Sequence, residues 1–314
     1  MIKKGSHLEG VEPINEKEID NALFLSIIEE KLGIQSEAYK YLSSKINGRN
    51  LYDKSGYSGS STLIVNKDSN NIDEFVIKIQ PKNKLYDEFI AYNYFYKKGL
   101  TSKPLKYFDC GKYEVTVVEK INLPVAGYYF NSYQEISVFF GKKLREFHDL
   151  NLIDDKLQEE EINSFSNKFI NSYNKAIKKE EGLSYLSIYM NDYDYDQMRV
   201  YVEKNKHIMS KNKVLVHGDF NPNNVFIDKD LTIKLIDFCD TGIVNKHYDI
   251  FWTLFMIIIF SGILKEKNKI NECEKIFLES YGRSQINEEE LDYFKKFACL
   301  YWQQHDEITR IDIL

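Results

Sequence analysis

Apolar residues recur along this chain at two spacings, and each spacing predicts an element. Ile19, Leu23, Ile27 and Ile28 fall at helical intervals and Gly33 follows them, which predicts a helix over residues 14–33. Asn15 and Glu18 stand in capping-box spacing, with Ile14 and Ile19 as a staple around them. Short apolar runs at Leu63–Val65, Phe75–Ile79 and Thr116–Ile121 predict strands. Leu85, Phe89, Tyr92 and Phe95 predict a helix before Gly99. Farther on, Val214–Val216 is another strand-like run. Val225–Ile227 and Ile233–Ile236, joined by the polar turn Asp228-Lys229-Asp230, read as a β-hairpin. The longest apolar run, Ile250 to Leu264, is broken only by Thr253, Ser261 and Gly262. It is shorter than the roughly 18–20 residues that span a bilayer, so it predicts a buried helix. Asn287 to Glu290 form a second capping box, with Ile286 and Leu291 as its staple. The helix it opens carries Leu291, Phe294, Phe297, Ala298, Tyr301 and Trp302.

Bulk properties narrow the function classes. The 314 residues suffice for one large domain or two lobes. A net charge of −6 and a pI of about 5.7 speak against a nucleic-acid binder, which would carry a basic patch. They suit a cationic small substrate. The four cysteines, Cys110, Cys239, Cys273 and Cys299, are scattered, without the pairing of a structural metal site or disulfide framework. That usage fits a reducing cytoplasm, and the N-terminus has no signal-peptide core. The expected partner is a small molecule, with no nucleic acid and no membrane.

The chemistry concentrates between Val214 and Asp240. The first run ends in His217-Gly218-Asp219, and Asn224 precedes the hairpin's first strand. Asp237 ends its second strand. Such a hairpin can bring three oxygen ligands to one point. Hard oxygens suit Mg²⁺, which takes few protein ligands and shares the rest of its shell with phosphates. In this reading Asn224 and Asp237 hold the metal, and Asp219 accepts a proton from an attacking hydroxyl. These are the parts of phosphoryl transfer.

His-Gly-Asp-Phe-Asn-Pro-Asn-Asn followed by Ile-Asp-Phe resembles the catalytic loop and metal-binding Asp of the aminoglycoside phosphotransferase and choline kinase superfamily. It is also similar to the protein-kinase arrangement. The stretch from Asp240 to Asp249 is similar to the family's segment after the metal-binding Asp. The resemblance spans about residues 50–300. It implies an α+β, protein-kinase-like two-lobe fold, with a small β-rich N-lobe at 1–118 that carries an extra N-terminal helix. A larger, mostly helical C-lobe would occupy 119–314, with the hinge, catalytic loop and acceptor site.

Further roles follow from the resemblance. Gly56 to Thr62 form a Gly/Ser loop that is not a Walker loop, and Ser58 and Gly59 would cover the nucleotide's phosphates. A lysine inside an apolar strand-like run needs a partner for its charge. Lys78 would contact the α and β phosphates, braced by Glu88, with Asp87 as the neighbouring alternative. Backbone groups at Val118, Glu119, Lys120 and Ile121 would bind the base of ATP or GTP. His217 and Asp249 read as braces of the catalytic loop. His148, near a helix C-terminus, reads as structural. Asp192, Asp194, Asp196 and Glu203 fall at EF-hand positions, but Gln197 stands where that turn needs glycine. These acids, and those of the C-terminal tail near Asp306, are candidates for a cationic acceptor.

The implied function is transfer of the γ-phosphate of ATP or GTP to a hydroxyl of a small cationic molecule, with Mg²⁺ as cofactor. An aminoglycoside or similar antibiotic is the first expectation, which would make the chain a resistance kinase. Choline, homoserine or sugar kinases share the motif. A nucleotide-binding pseudokinase is the alternative of a different class.

Overall fold

The computed structural model describes residues 17–46, 49–53, 61–66, 74–82, 88–150, 152, 195–264 and 266–302. The chain forms two compact units, Glu12–Leu123 and one that includes Pro124–Leu314. The predicted helix over 14–33 starts later than expected. Lys17–Ile19 is a strand, β1, and the helix α1 is Asn21–Leu32. Asp20 caps it by accepting from Leu23 N at 2.7 Å, and Gly33 ends it with positive φ. The first residues of the run pair with β2 (Leu51–Asp53) instead. Sheet pairing there outcompeted a helix start whose signal was local only.

The first unit is a six-stranded antiparallel sheet. Its remaining strands are β3 (Ser61–Val65), β4 (Phe75–Pro81), β5 (Pro104–Asp109) and β6 (Tyr113–Glu119), in the order β1-β2-β3-β4-β6-β5. Strand alternation sorts the two faces of β4. Phe75, Ile77 and Ile79 turn to one side. There they join Leu63, Val65, Val115 and Val117, with Phe24 and Ile28 of α1 and Leu42 and Ile46 of α2 (Glu37–Ile46), in one buried cluster. Lys78 points to the other side, in register with Thr62 and Thr116. Because β4 is interior, Lys78 does not lie on an edge strand. Helix α3, Glu88–Lys97, buries Glu88, Ala91, Tyr92, Tyr94 and Phe95.

The second unit is mostly helical. Among the described residues its helices are α4 (Tyr133–Asp149), α5 (Tyr195–Lys204), α6 (His247–Phe260), α7 (Lys267–Tyr281) and α8 (Glu288–Trp302). Ser132 caps α4 by accepting from Glu135 N, while Glu135 accepts from Asn131 N. α4 packs closely on α7, and Gly141 permits it: a Cβ there would lie 2.6 Å from Phe277 O. α6 is apolar on nearly every side and correspondingly buried, as the long apolar run predicted. Among the described residues no helix is long and apolar enough to cross a membrane.

Among the described residues this unit also has two small ladders. β7 (Lys213–Val216) pairs with β10 (Gly242–Asn245), and β8 (Val225–Ile227) pairs with β9 (Ile233–Leu235) as the expected hairpin. At the start of α8, Asn287 Oδ1 accepts from Glu290 N at 3.1 Å, the first half of the capping box. The second half is replaced. Asn287 N donates to His247 Nε2 at 3.0 Å, and Glu290 turns inward to accept from Asn212 and Asn245.

Candidate active site

The loop from His217 to Asn224 leaves β7 and enters β8, so two ladders fix its ends. Only glycine fits its second position. Gly218 has φ +84°, and a Cβ there would lie 1.7 Å from Asp240 O. The loop's backbone is held from α6. Asp249, wholly buried in the first turn, accepts from His217 N and Gly218 N, each at 2.8 Å. Its Oδ2 also meets His148 Nε2 at 3.3 Å, while His148 Nδ1 faces the Tyr281 hydroxyl at 2.9 Å. Thr241 Oγ1 donates to His217 O.

His217 is a neutral spacer. Asp219 N donates to its Nδ1 at 3.2 Å, so its proton sits on Nε2, which donates to Ile236 O at 3.1 Å. Burial lowers its pKa, outweighing the carboxylates of Asp249 and Asp237.

Three donors hold the Asp219 carboxylate. Asn221 Nδ2 and Trp252 Nε1 donate to Oδ1 at 2.7 and 2.9 Å. Asn224 Nδ2 donates to Oδ2 at 2.7 Å and to Asp219 O at 3.1 Å. Burial pushes the carboxyl up to about 6, and the Asp237 charge adds to the rise. The Trp252 bond opposes it; Asp240 raises it further and Asn221 lowers it.

The hairpin register sets the remaining members. Val225 lies opposite Leu235, and Ile236 N donates to Asn224 O at 3.1 Å. That bond ties Asn224 to the backbone just before Asp237. Asp237 adopts φ 61° and ψ 71°, left-handed for a residue that is not glycine. Such strain costs about 1–2 kcal/mol and gathers at functional positions. With its nitrogen committed to Asp219, Asn224 offers its Oδ1 carbonyl, which has no partner among the described residues. A carbonyl oxygen and a carboxylate are hard donors of the kind that fit Mg²⁺.

In the other unit, Lys78 Nζ lies 3.0 Å from Glu88 Oε1, and Glu88 is wholly buried. Asp87, the alternative partner, lies outside the described residues, as do Ser58 and Gly59. Glu119 N donates to Lys103 O and Lys120 N to Glu74 O, while Val118 pairs on both sides within the sheet. Lys120 and Ile121 are the two of the four base-binding candidates beyond the strand. Of the EF-hand-like acids, Asp192 and Asp194 lie outside the described residues, as does Asp306.

Sequence reading missed Asn221 and Trp252. Trp252 sits in an apolar run and read as core. The available signal was its helical spacing from Asp249, which places both on one face.

Residues 54–267 match the model of the phosphotransferase enzyme family. The chain belongs to this family and is a small-molecule phosphotransferase. A probable aminoglycoside 3'-phosphotransferase of Lactococcus lactis subsp. lactis (strain IL1403) is 23% identical over 272 residues, 82% of this chain and 92% of the relative. Among solved structures, an aminoglycoside-3'-phosphotransferase of type VIII superposes with a TM-score of 0.57 at 17% identity. The match covers 84% of this chain and 98% of that one. An ethanolamine kinase of Plasmodium vivax gives 0.56 at 16% identity, covering 94% and 89%. The fold is α+β and protein-kinase-like, as the motif resemblance implied.

Proposed function

We propose that the chain transfers the γ-phosphoryl group of a nucleoside triphosphate to a hydroxyl of a small amine-bearing molecule. The observation that carries this reading is the Asp219 carboxylate, oriented by three donors and joined through Asn224 to the hairpin that presents Asp237.

The acceptor's hydroxyl oxygen bonds to the γ-phosphorus. The bond from that phosphorus to the bridging oxygen breaks, and its electron pair leaves on the nucleoside diphosphate. The hydroxyl proton passes to Asp219. A carboxyl whose pKa is raised toward neutrality is a better matched base than a solvated one. Asn224, through Oδ1, and Asp237 would hold Mg²⁺, which when bound neutralises phosphate charge. Lys78, paired with Glu88, would neutralise the α and β phosphates, and Ser58 and Gly59 are the candidates to cover them. Glu119 and Lys120 have their N–H groups committed to Lys103 O and Glu74 O, so Ile121 is the residue of that stretch whose amide would serve the base. His217 and Asp249 hold the loop and do not react.

The acceptor class follows from what the relatives' names share. Aminoglycosides and ethanolamine both carry hydroxyls beside a protonated amine, and the chain's net charge of −6 suits a cation. An aminoglycoside, hence antibiotic resistance in the cytoplasm, is the first reading; an ethanolamine- or choline-type acceptor is the second, favoured by the kinase superposition.

The test is nucleotide consumption by the pure protein with Mg²⁺, using ATP and GTP separately, over aminoglycosides, ethanolamine, choline and homoserine. Turnover should require acceptor, cease with chelator, and be lost in Asp219→Ala while nucleotide binding persists. Retained turnover in Asp219→Ala would overturn the assignment.

A further inference from the structure

We propose that Trp252 is a positioning residue that saturates Asp219 Oδ1, so that Oδ2 is the oxygen that faces the acceptor hydroxyl. The inference rests on the phosphotransfer reading and deepens it. An sp² carboxylate oxygen accepts well along two in-plane lone-pair directions. At Oδ1 both are taken, one by Asn221 Nδ2 at 2.7 Å and one by Trp252 Nε1 at 2.9 Å. At Oδ2 one is taken, by Asn224 Nδ2 at 2.7 Å. Among the described residues nothing else donates to Oδ2. The acceptor's O–H therefore has one well-directed place to go, beside the Asn224 amide whose other atom is the candidate metal ligand.

The three donors are not equivalent. Asn221 and Asn224 belong to the same loop as Asp219 and move with it. Trp252 belongs to α6, is only 5% exposed, and packs its ring at 5.7 Å from that of Phe255. Its indole N–H is thus a donor fixed by the core, and it resists rotation of the carboxylate about χ2. An indole also donates without accepting, so it cannot exchange its role as an amide or hydroxyl could. A tryptophan used only to fill space would not need its nitrogen at this point.

The contact is tested in two independent ways on the full chain. The first needs no turnover. With ¹⁵N labelling, the two tryptophans give two indole N–H resonances, and Trp252→Phe identifies which belongs to Trp252. A donor to a carboxylate resonates downfield. Asp219→Asn should move the Trp252 resonance upfield and leave that of Trp302 in place. An unmoved Trp252 resonance would overturn the proposal.

The second uses MgATP with kanamycin A and with ethanolamine. Trp252→Phe removes the N–H and keeps an aromatic ring. It should lower kcat about tenfold or more, the worth of one hydrogen bond to a charged group, while KM for nucleotide and acceptor stays within about twofold. Trp252→His, in which Nε2 can take the same ring position as the indole nitrogen, should recover part of kcat. A loss of folded protein alone would lower both variants together and would not restore turnover in the histidine variant. Wild-type kcat in Trp252→Phe would overturn the proposal and leave phosphotransfer standing. Turnover of neither acceptor by the wild type counts against the phosphotransfer reading, and the indole resonance then decides the contact by itself.

Discussion

Asp249→Asn perturbs one oxygen and leaves the side chain's shape intact. The native carboxylate accepts from His217 N and Gly218 N at 2.8 Å each and from His148 Nε2 at 3.3 Å, with no exposure to solvent. An amide offers a single acceptor oxygen. If it faces Oδ2's two donors, its NH₂ group meets Gly218 N–H; turned over, it meets His217 and His148. One charge-assisted bond is lost, about 1.5–3 kcal/mol, and one buried N–H is orphaned, about 1–3 kcal/mol. Their sum, about 2.5–6 kcal/mol, brackets the roughly 3–5 kcal/mol usual for breaking a buried charged network. Equilibrium urea unfolding reads this directly. Both tryptophans lie within Pro124–Leu314, so their fluorescence follows that unit. At a slope of about 3 kcal/mol/M, a loss of about 3–5 kcal/mol should lower the midpoint by roughly 1–1.7 M. A midpoint within about 0.2 M of wild type at unchanged slope would refute the view that Asp249 holds the loop.

Two further predictions concern buried charge. Lys78→Met leaves the Glu88 carboxylate buried without its cation, which should cost about 3–5 kcal/mol by calorimetry. Adding Glu88→Leu should recover most of the stability but not turnover, and a single variant as stable as wild type would show that the pair is not mutually required. His247 is held neutral: Asn287 N donates to its Nε2, so its one proton is on Nδ1, facing Asn245 Oδ1 and Glu290 Oε2. Burial lowers its pKa to about 4 against the pull of Glu290. A folded-state pKa depressed below the unfolded value of about 6.5 gives stability that is present above pH 6.5 and is lost as pH falls toward 4. Up to about 3 kcal/mol rides on this shift, so the stability advantage of wild type over His247→Gln should shrink between pH 7 and 4.5. Parallel pH curves for the two proteins would contradict it.

The candidate site residues were the most legible part of the sequence, because the proposed chemistry dictates their spacing. Asn224 must precede one strand and Asp237 must end its partner, and the register Val225–Leu235 then brings them together. Glu88 was legible for a different reason: a lysine in an apolar run needs an acid, and the next helix offers one at its start. What the sequence hid was competition between local signals and distant partners. Asn15 and Glu18 form a sound capping box, yet residues 17–19 pair with 51–53 and the helix waits for Asp20. Asn287 and Glu290 form another, but half of it is given to His247 and the acid to a buried cluster. In the first case strand pairing moved the cap to Asp20; in the second the local rule named the right residues and a long-range partner decided what they bind.

The same competition explains why an apolar helix holds the candidate site. α6 reads as core because Ile250, Phe251, Leu254, Phe255, Ile257 and Ile258 are all buried. Its packing fixes its position, and its first turns then serve as a rigid support. Asp249 and Trp252 are one helical turn apart and share a face. The first pins the loop's backbone at His217 and Gly218, and the second grips the side chain of Asp219. An acid in the first turn is also favoured by the helix dipole. The loop therefore takes both its path and the orientation of its carboxylate from one buried element. A substitution that shifts α6 as a body should lower kcat before it unfolds the protein.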